Sequence, residues 1–391
     1  MLKLNIIDIN SNTSYIYYDP YTFRFYLDSD RKKKIPSPYG KVEYSDSVHT
    51  AILPLGYNCP NKCVYCIQRR MKNPPLNIKK LKHTISTYID QGLRKIHFLG
   101  GEPLLQWDVV YNVMESFPNM DFSIITNGLH LDLDICENLV KHRCKVTISH
   151  DGESQKVQRG YSILDHRVPQ YSLISWLAKE VDVDIASVLC CNGVSMKDRY
   201  DFFTEIDIPF HAIDIRPLIP YKKEHLTLIN GCDNRTNYFS RLLKDIFILS
   251  RYATWQNGNS DLLQDFIHLS GRDVYWRPEI SHCPVCNGEF VTINQTGDLQ
   301  YCHNTQIPID ATTTARYRYR ERMSRCENCP VLLTCGGGCR IVEDDVVWDA
   351  GCARTYYYHL AYLVYYIYRT YGVIVTSIDG EYWYMQTGSQ S

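Results

Sequence analysis

The sequence has almost no net charge: 42 Lys and Arg stand against 43 Asp and Glu, a formal balance of −1. A chain so balanced offers no broad surface for a polyanion, which sets nucleic acid aside as a partner. Long apolar runs are missing too. The most apolar late stretch, Tyr356–Tyr368, contains His359 and falls short of the roughly 18 residues that a membrane span needs. It reads as a buried, Tyr-rich helix, and no membrane partner is expected. Met1–Asn10 lacks the charged start, apolar run and small-residue cleavage site of a secretory signal. The expected location is therefore the reducing cytoplasm, where disulfides are disfavoured. Internal repeats and low-complexity tracts are absent as well.

Cysteine, by contrast, is abundant, at 16 of 391 residues. In a reducing compartment that number points to metal binding or redox chemistry if the spacings allow it. The 31 tyrosines are read as packing. Apolar residues at 45% and charged residues at 22% are ordinary for a soluble globular protein. At roughly 100–200 residues per domain, the length allows two or three domains.

Residues 1–47 read as a β-rich lead. Apolar alternation at Ile6–Ile9 and Tyr15–Tyr18 precedes an Asp19-Pro20 turn and a further run at Phe23–Leu27. Arg31–Pro38 reads as a connector. From 48 to 220, short apolar runs at Val48–Leu55, Lys95–Leu99, Phe122–Thr126, Lys145–Ser149, Val183–Leu189 and Ala212–Arg216 alternate with helical spacing. The helical segments are Ile78–Gln91, Trp107–Phe117, Leu131–His142 and Val168–Glu180. This is an α/β pattern of parallel βαβ units. Six such units make a partial, TIM-like (βα)6 barrel, with its chemistry at the strand C-terminal ends. Residues 221–281 read as a helical connector. Residues 282–353 form a small cysteine-rich region held by metal rather than by a core. A Tyr-rich helix and tail, 354–391, close the chain.

The loop after the first barrel strand carries Cys59, Cys63 and Cys66 in C-x3-C-x2-C spacing. Three thiolates on one tight loop can hold three irons of a [4Fe–4S] cube and leave the fourth iron open. Structural zinc usually asks for four ligands and paired C-x2-C knuckles. The loop, with Tyr65 before its last cysteine, resembles the signature of the radical S-adenosylmethionine (SAM) superfamily. The resemblance implies that SAM binds the open iron and is cleaved reductively to methionine and a 5′-deoxyadenosyl radical. Gly100-Gly101-Glu102-Pro103 resembles the family's GGEP motif. Its glycines let backbone approach a ligand, and the Glu102 carboxylate can accept bonds from the SAM ammonium. Thr126-Asn127-Gly128 ends the third strand, and Asn127 joins the expected SAM contacts. Ser149-His150-Asp151-Gly152 ends the fourth and resembles S-x-D-G. By that resemblance Ser149 contacts SAM, and Arg159 pairs with the SAM carboxylate. His150 stands where an apolar residue is more usual; it reads as a pocket residue or as a structural histidine.

A second group, Cys326, Cys329, Cys335, Cys339 and Cys352, follows Cys283, Cys286 and Cys302, and Gly336-Gly337-Gly338 lies in its last loop. The layout resembles the SPASM domain of peptide and protein maturases. The resemblance implies two auxiliary [4Fe–4S] clusters, three clusters in all. Cys283, Cys286, Cys302 and Cys339 would hold one, and Cys326, Cys329, Cys335 and Cys352 the other. A pair of zinc knuckles is the competing reading, since thiolates alone do not separate zinc from iron. Of the remaining cysteines, Cys136, Cys144, Cys190 and Cys191 read as small buried apolar residues. Cys232 reads as a loop thiol.

The resemblance implies an enzyme that modifies a ribosomally made peptide, by cross-linking or side-chain oxidation. Its partners would be that precursor peptide or protein and a low-potential electron donor such as flavodoxin or ferredoxin. A sulfatase-type maturase making formylglycine is the first alternative. An iron–sulfur electron carrier without SAM chemistry is the second. No catalytic acid or base is assigned; Asp214 and Arg216 at the sixth strand end are candidates.

Overall fold

The computed structural model describes residues 2–8, 10–19, 24–26, 48–190, 194–229, 235–258, 289–309, 326, 329–335, 337–339, 341–342, 344–378 and 381–382. Cys191, Cys232, Cys283, Cys286 and the Arg31–Pro38 connector lie outside the described residues.

The N-terminal strands are β1 (Leu2–Ile7), β2 (Thr13–Asp19) and β3 (Arg24–Tyr26). Alternation sends Leu2, Leu4 and Ile6 inward. The expected strand at Ile6–Ile9 stops at Ile7, because Asp8 begins a turn. Its carboxylate accepts from the backbone N–H groups of Asn10 (2.8 Å) and Asn12 (2.9 Å).

The barrel strands are β4 (Thr50–Pro54), β5 (Lys95–Leu99), β6 (Asp121–Thr126), β7 (Lys145–Ser149), β8 (Val183–Leu189) and β9 (Ala212–Pro217). They pair in chain order and all in parallel. The α/β barrel expected from the sequence is therefore present. Crossover helices Ile78–Ile89, Trp107–Ser116, Leu133–Lys141 and Pro169–Glu180 return the chain. A further helix, Met196–Thr204, lies between β8 and β9, started by a capping box of Ser195 and Asp198. Leu53, Ile96, Phe98, Ile124, Val146, Ile148 and Ile185 are all but sealed from solvent. Phe98 stacks on Phe122 at 5.9 Å.

The sheet continues past β4. Strand β10 (Phe290–Ile293) pairs parallel to β4, and β11 (Leu299–Gln300) folds back on it. The order is β11-β10-β4-β5-β6-β7-β8-β9, eight strands in all. Strands β10 and β11 carry segments read from the sequence as part of the cysteine-rich region.

The late helix runs from Asp345 to Tyr371, capped by Asp344 and ended by Gly372 at φ 69. The residue 353/354 boundary read from the sequence thus falls inside one helix. Its Tyr362 stacks on Trp255 at 5.9 Å, and Arg354 donates to the Leu189 carbonyl of the barrel at 3.2 Å. Among the described residues no helix is long and apolar enough to cross a membrane. After this helix, β12 (Ile374–Ile378) pairs with β1, and β13 (Glu381–Tyr382) pairs with β12. The lead and the tail therefore share one five-stranded sheet, β13-β12-β1-β2-β3.

Candidate functional site

The site is assembled where barrel strands end. After β4 the chain enters the Cys59–Cys66 loop, and after β5 it enters Gly100–Glu102. The two loops bind by backbone: Gly101 N–H donates to the Gly56 carbonyl (3.0 Å) and Glu102 N–H to the Asn58 carbonyl (2.8 Å). Both glycines are needed for this approach. A Cβ on Gly101 would stand 2.2 Å from the Asn58 oxygen, and one on Gly100 2.5 Å from the Gly56 oxygen. The close partner of the glycines is the cysteine loop itself.

Glu102 is buried and braces two strand ends. Oε1 accepts from Thr126 Oγ1 (2.6 Å) and Leu104 N–H (3.0 Å), and Oε2 accepts from Asn127 N–H (2.8 Å). Burial pushes its carboxyl pKa up, and these donors oppose the rise. One lone pair of Oε2 is left over by these bonds. Asn127, fixed by Glu102, reaches the Cys59 sulfur with its amide at 3.5 Å.

The three cysteines are free thiols, Cys59 exposed and Cys63 and Cys66 half-buried. Burial pushes the Cys63 thiol up to about 11, opposed by the positive charge of Arg159. Neighbouring sulfurs add to the rise at Cys59 and Cys63. Thiolates gathered this way need a cationic centre to bring them together, and the donor set fits an iron–sulfur cluster.

Behind the loop, Asp151 is a hub sealed from solvent. Oδ2 accepts from the Tyr65 hydroxyl and from Arg159 Nε (2.9 Å), while Oδ1 accepts from the Val188 backbone N–H (2.9 Å). The Arg159 guanidinium also lies 5.4 Å from the centre of the Tyr65 ring. Burial works against the charge on Arg159, but Asp151 outweighs it. Tyr65 and Arg159, both expected at the SAM site, are thus joined through Asp151. Ser149 ends β7, half-buried.

A second arginine was not anticipated. Arg199, sealed inside, donates to Ser187 Oγ (3.1 Å) and Ser154 Oγ (3.0 Å), with Nη1 4.0 Å from Asp151 Oδ1. Gly152, at φ 54, makes room for it, since a Cβ there would meet Arg199 Cδ at 2.7 Å. His150 is structural. Its Nδ1 accepts from Gly152 N–H (3.0 Å), its Nε2 bonds Ser162 (3.0 Å), and its ring stacks on Phe202. Burial lowers its pKa to about 3, so the ring is neutral.

Residues 53–205 match the model of the Radical SAM superfamily. This region is a radical SAM domain. The chain is 26% identical over 270 residues to an uncharacterized protein of Methanocaldococcus jannaschii, covering 66% of this chain and 85% of the relative. It is 24% identical to the radical SAM cyclopropyl synthase TigE of Paramaledivibacter caminithermalis, over 76% of this chain and 69% of the relative. Among solved structures, anSMEcpe with bound S-adenosylmethionine and a peptide superposes with a TM-score of 0.59. The match has 15% identity and covers 82% of this chain and 98% of that one. It shows a shared fold.

Outside the radical SAM domain, the late cysteines surround a cavity. Cys326, Cys329, Cys335, Cys339 and Cys352 all line a space of about 350 Å³. Burial pushes the Cys335 thiol up to about 12. The late helix supplies Cys352, and Gly337 and Gly338 turn the chain at φ 83 and 81. Cys302 is not among the residues of that wall; it follows β11, where Asn304 N–H donates to its sulfur at 3.5 Å. Among the described residues, no group of three or more His, Cys, Asp or Glu is gathered around a single-ion position. Cys136, Cys144 and Cys190 are buried, their thiol pKa values pushed up by burial. Asp214 and Arg216 pair with each other at 2.8 Å, and Arg216 also lines the cysteine cavity.

Proposed function

We propose that this radical SAM enzyme modifies a ribosomally made peptide or protein. The observation that carries the reading is the Cys59–Cys66 loop backed by the Tyr65–Asp151–Arg159 unit at the strand ends. Cys59, Cys63 and Cys66 would hold a [4Fe–4S] cluster. When bound, that cluster supplies the electron that splits SAM and yields a hydrogen-abstracting radical.

The chain's own groups prepare the site. Asn127 steadies Cys59 through its amide. Arg159 spends Nε on Asp151, which leaves its Nη amines to receive the SAM carboxylate. Glu102 retains one lone pair on Oε2 for the SAM ammonium, and Ser149 and Gly101 complete the expected contacts. Arg199, 4.0 Å from Oδ1, and the Val188 N–H, bonded to the same oxygen, add to the partners of Asp151 inside the protein.

Cys283, Cys286, Cys302 and Cys339 would hold one auxiliary cluster, and Cys326, Cys329, Cys335 and Cys352 the other. The spread of thiols around a cavity, rather than around a point, favours a polynuclear cluster over a single zinc ion. The peptide assignment is supported by the peptide held in the anSMEcpe structure and by the extent of that likeness.

The test is anaerobic reconstitution with iron and sulfide, followed by SAM and dithionite. Formation of 5′-deoxyadenosine is expected, and its yield should rise with the cognate peptide, whose mass should change. Cluster-loaded protein that leaves SAM intact would reduce the chain to an electron carrier.

A further inference from the structure

We propose that a small neutral pocket beside the β10–β11 turn binds a primary carboxamide, the side chain of an Asn or Gln in the polypeptide substrate. The source of that side chain rests on the peptide reading above; the chemistry of the pocket does not.

The pocket has a volume of about 200 Å³, and no cysteine lines it. Of the residues assigned to the site above, only Glu102 reaches it. The Glu102 oxygens are bonded to the β6 end and to Leu104 N–H. The space is therefore separate from both groups of thiols.

Four carboxamide side chains line the pocket: Asn58, Asn73, Gln106 and Gln295. Backbone partners that can play one role only fix how three of them are turned. Tyr57 N–H can only donate, and Asn73 Oδ1 accepts from it. Asn73 Nδ2 then donates to Asn58 Oδ1. This leaves Asn58 Nδ2, a donor, without a partner among the described residues. The Pro74 carbonyl can only accept, and Gln295 Nε2 donates to it. Gln295 Oε1, an acceptor, is left over on a residue only 7% exposed. Gln106, half-buried, has no hydrogen-bond partner among the described residues. Gly56, at φ 80, keeps the wall open, since a Cβ there would stand 3.0 Å from both Asn73 Oδ1 and Gln295 Oε1.

The pocket thus presents an unspent donor, an unspent acceptor and one amide able to act as either. A primary carboxamide, with its C=O and its NH2, matches that set. A carboxylate would set its oxygens against Gln295 Oε1, and an ammonium would meet the Asn58 amine. Either would enter without a counter-charge. Leu55, Leu76 and Leu105 give an apolar wall for the methylene groups, with Leu76 46% and Leu105 40% exposed at the mouth. No aromatic ring lines the pocket, so a nucleobase would find no stacking face. Pockets for whole drug-sized ligands run to roughly 300–1,000 Å³; this smaller space suits one side chain.

The test is a ligand-observed nuclear magnetic resonance titration of the cluster-loaded full chain. The probes are N-acetyl-glutamine methylamide and the matching derivatives of glutamate and leucine, which share one backbone and differ in the side chain. The glutamine derivative should bind in the millimolar range, as suits so small a ligand. The other two should bind at least about tenfold more weakly. Q106A should weaken the glutamine derivative by about tenfold, and N58D, which exchanges the free donor for an acceptor, should abolish its binding. Circular dichroism of both variants should match the wild type. Equal binding of all three derivatives, or unchanged binding in both variants, would overturn the carboxamide site. Binding of uracil in place of the glutamine derivative would assign the pocket to a nucleobase and overturn it as well. Glutamine-selective binding by a chain that leaves every peptide unmodified would keep the site and remove only the peptide reading.

Discussion

Arg159 donates its Nε–H to Oδ2 of Asp151 at 2.9 Å, with the aspartate sealed from solvent and the arginine side chain only 10% exposed. The pair fixes where the remaining guanidinium N–H groups point. Asp151→Asn should release Arg159 and Tyr65 together. The expected result is SAM binding weakened by about tenfold or more, with the cluster spectrum retained. Asp151→Ala should also destabilise the fold, by about 3–5 kcal/mol, because two arginines then lose their buried counter-charge. Equilibrium binding of SAM and anaerobic denaturation check the two effects separately.

Replacing Cys59, Cys63 and Cys66 together by Ala should abolish 5′-deoxyadenosine formation. Iron should fall by about one third, from about twelve atoms per chain to about eight, since the late cysteines are untouched. Iron and acid-labile sulfide assays on protein made without oxygen give the count. Continued SAM cleavage by the triple variant would overturn the assignment of the loop.

Gly101→Ala should fail to load the site. The added methyl meets backbone atoms of Tyr57 and Asn58, the nearest at 2.2 Å, and backbone cannot swing aside as a side chain can. The variant should remain folded in the barrel, as circular dichroism would show, yet lose the absorbance of the loop's cluster. Normal loading would mean that the two loops are freer than their hydrogen bonds imply.

Asp245 gives a pH dependence away from any cysteine ligand. It accepts from Lys197 N–H at 3.2 Å, and burial pushes its carboxyl up to about 6. A carboxyl raised in the folded state favours the protonated form. Its contribution is therefore full below the unfolded value, about 4, and is lost as pH rises through 6. Asp245→Asn keeps the acceptor and removes the titration. At pH 7 the variant should be more stable than wild type by up to about 3 kcal/mol, with the gap narrowing toward pH 5. Thermal midpoints across that range measure it; parallel curves would place the Asp245 pKa at its ordinary value.

Local signals made most of the barrel legible before the structure. Lys95–Leu99, Lys145–Ser149 and Val183–Leu189 are short, apolar and bounded by turn residues, and each is a strand as expected. The cysteine loop and its glycines were legible because spacing is a local property. Arg199 was not, since its role comes from Ser154, Ser187 and Asp151 converging from other elements. The helix that carries it has only a weak apolar face, and its one local sign was the Ser195–Asp198 cap. Asp151 stood inside a recognised motif, but its hold on both Tyr65 and Arg159 depends on the fold. The pairing of β1 with β12 was equally hidden, because either partner alone is an ordinary amphipathic strand.

That pairing joins positions 372 residues apart, as in the bond from Asn5 to Ser377. A ribosome releases the first strand long before the last one exists. Until Ile374–Ile378 emerges, the inner face of β1 and its open edge must wait without their partner. The N-terminal sheet is thus completed only once β12 has been synthesised. Loss of β12 would be felt first on β1, its partner across the sheet.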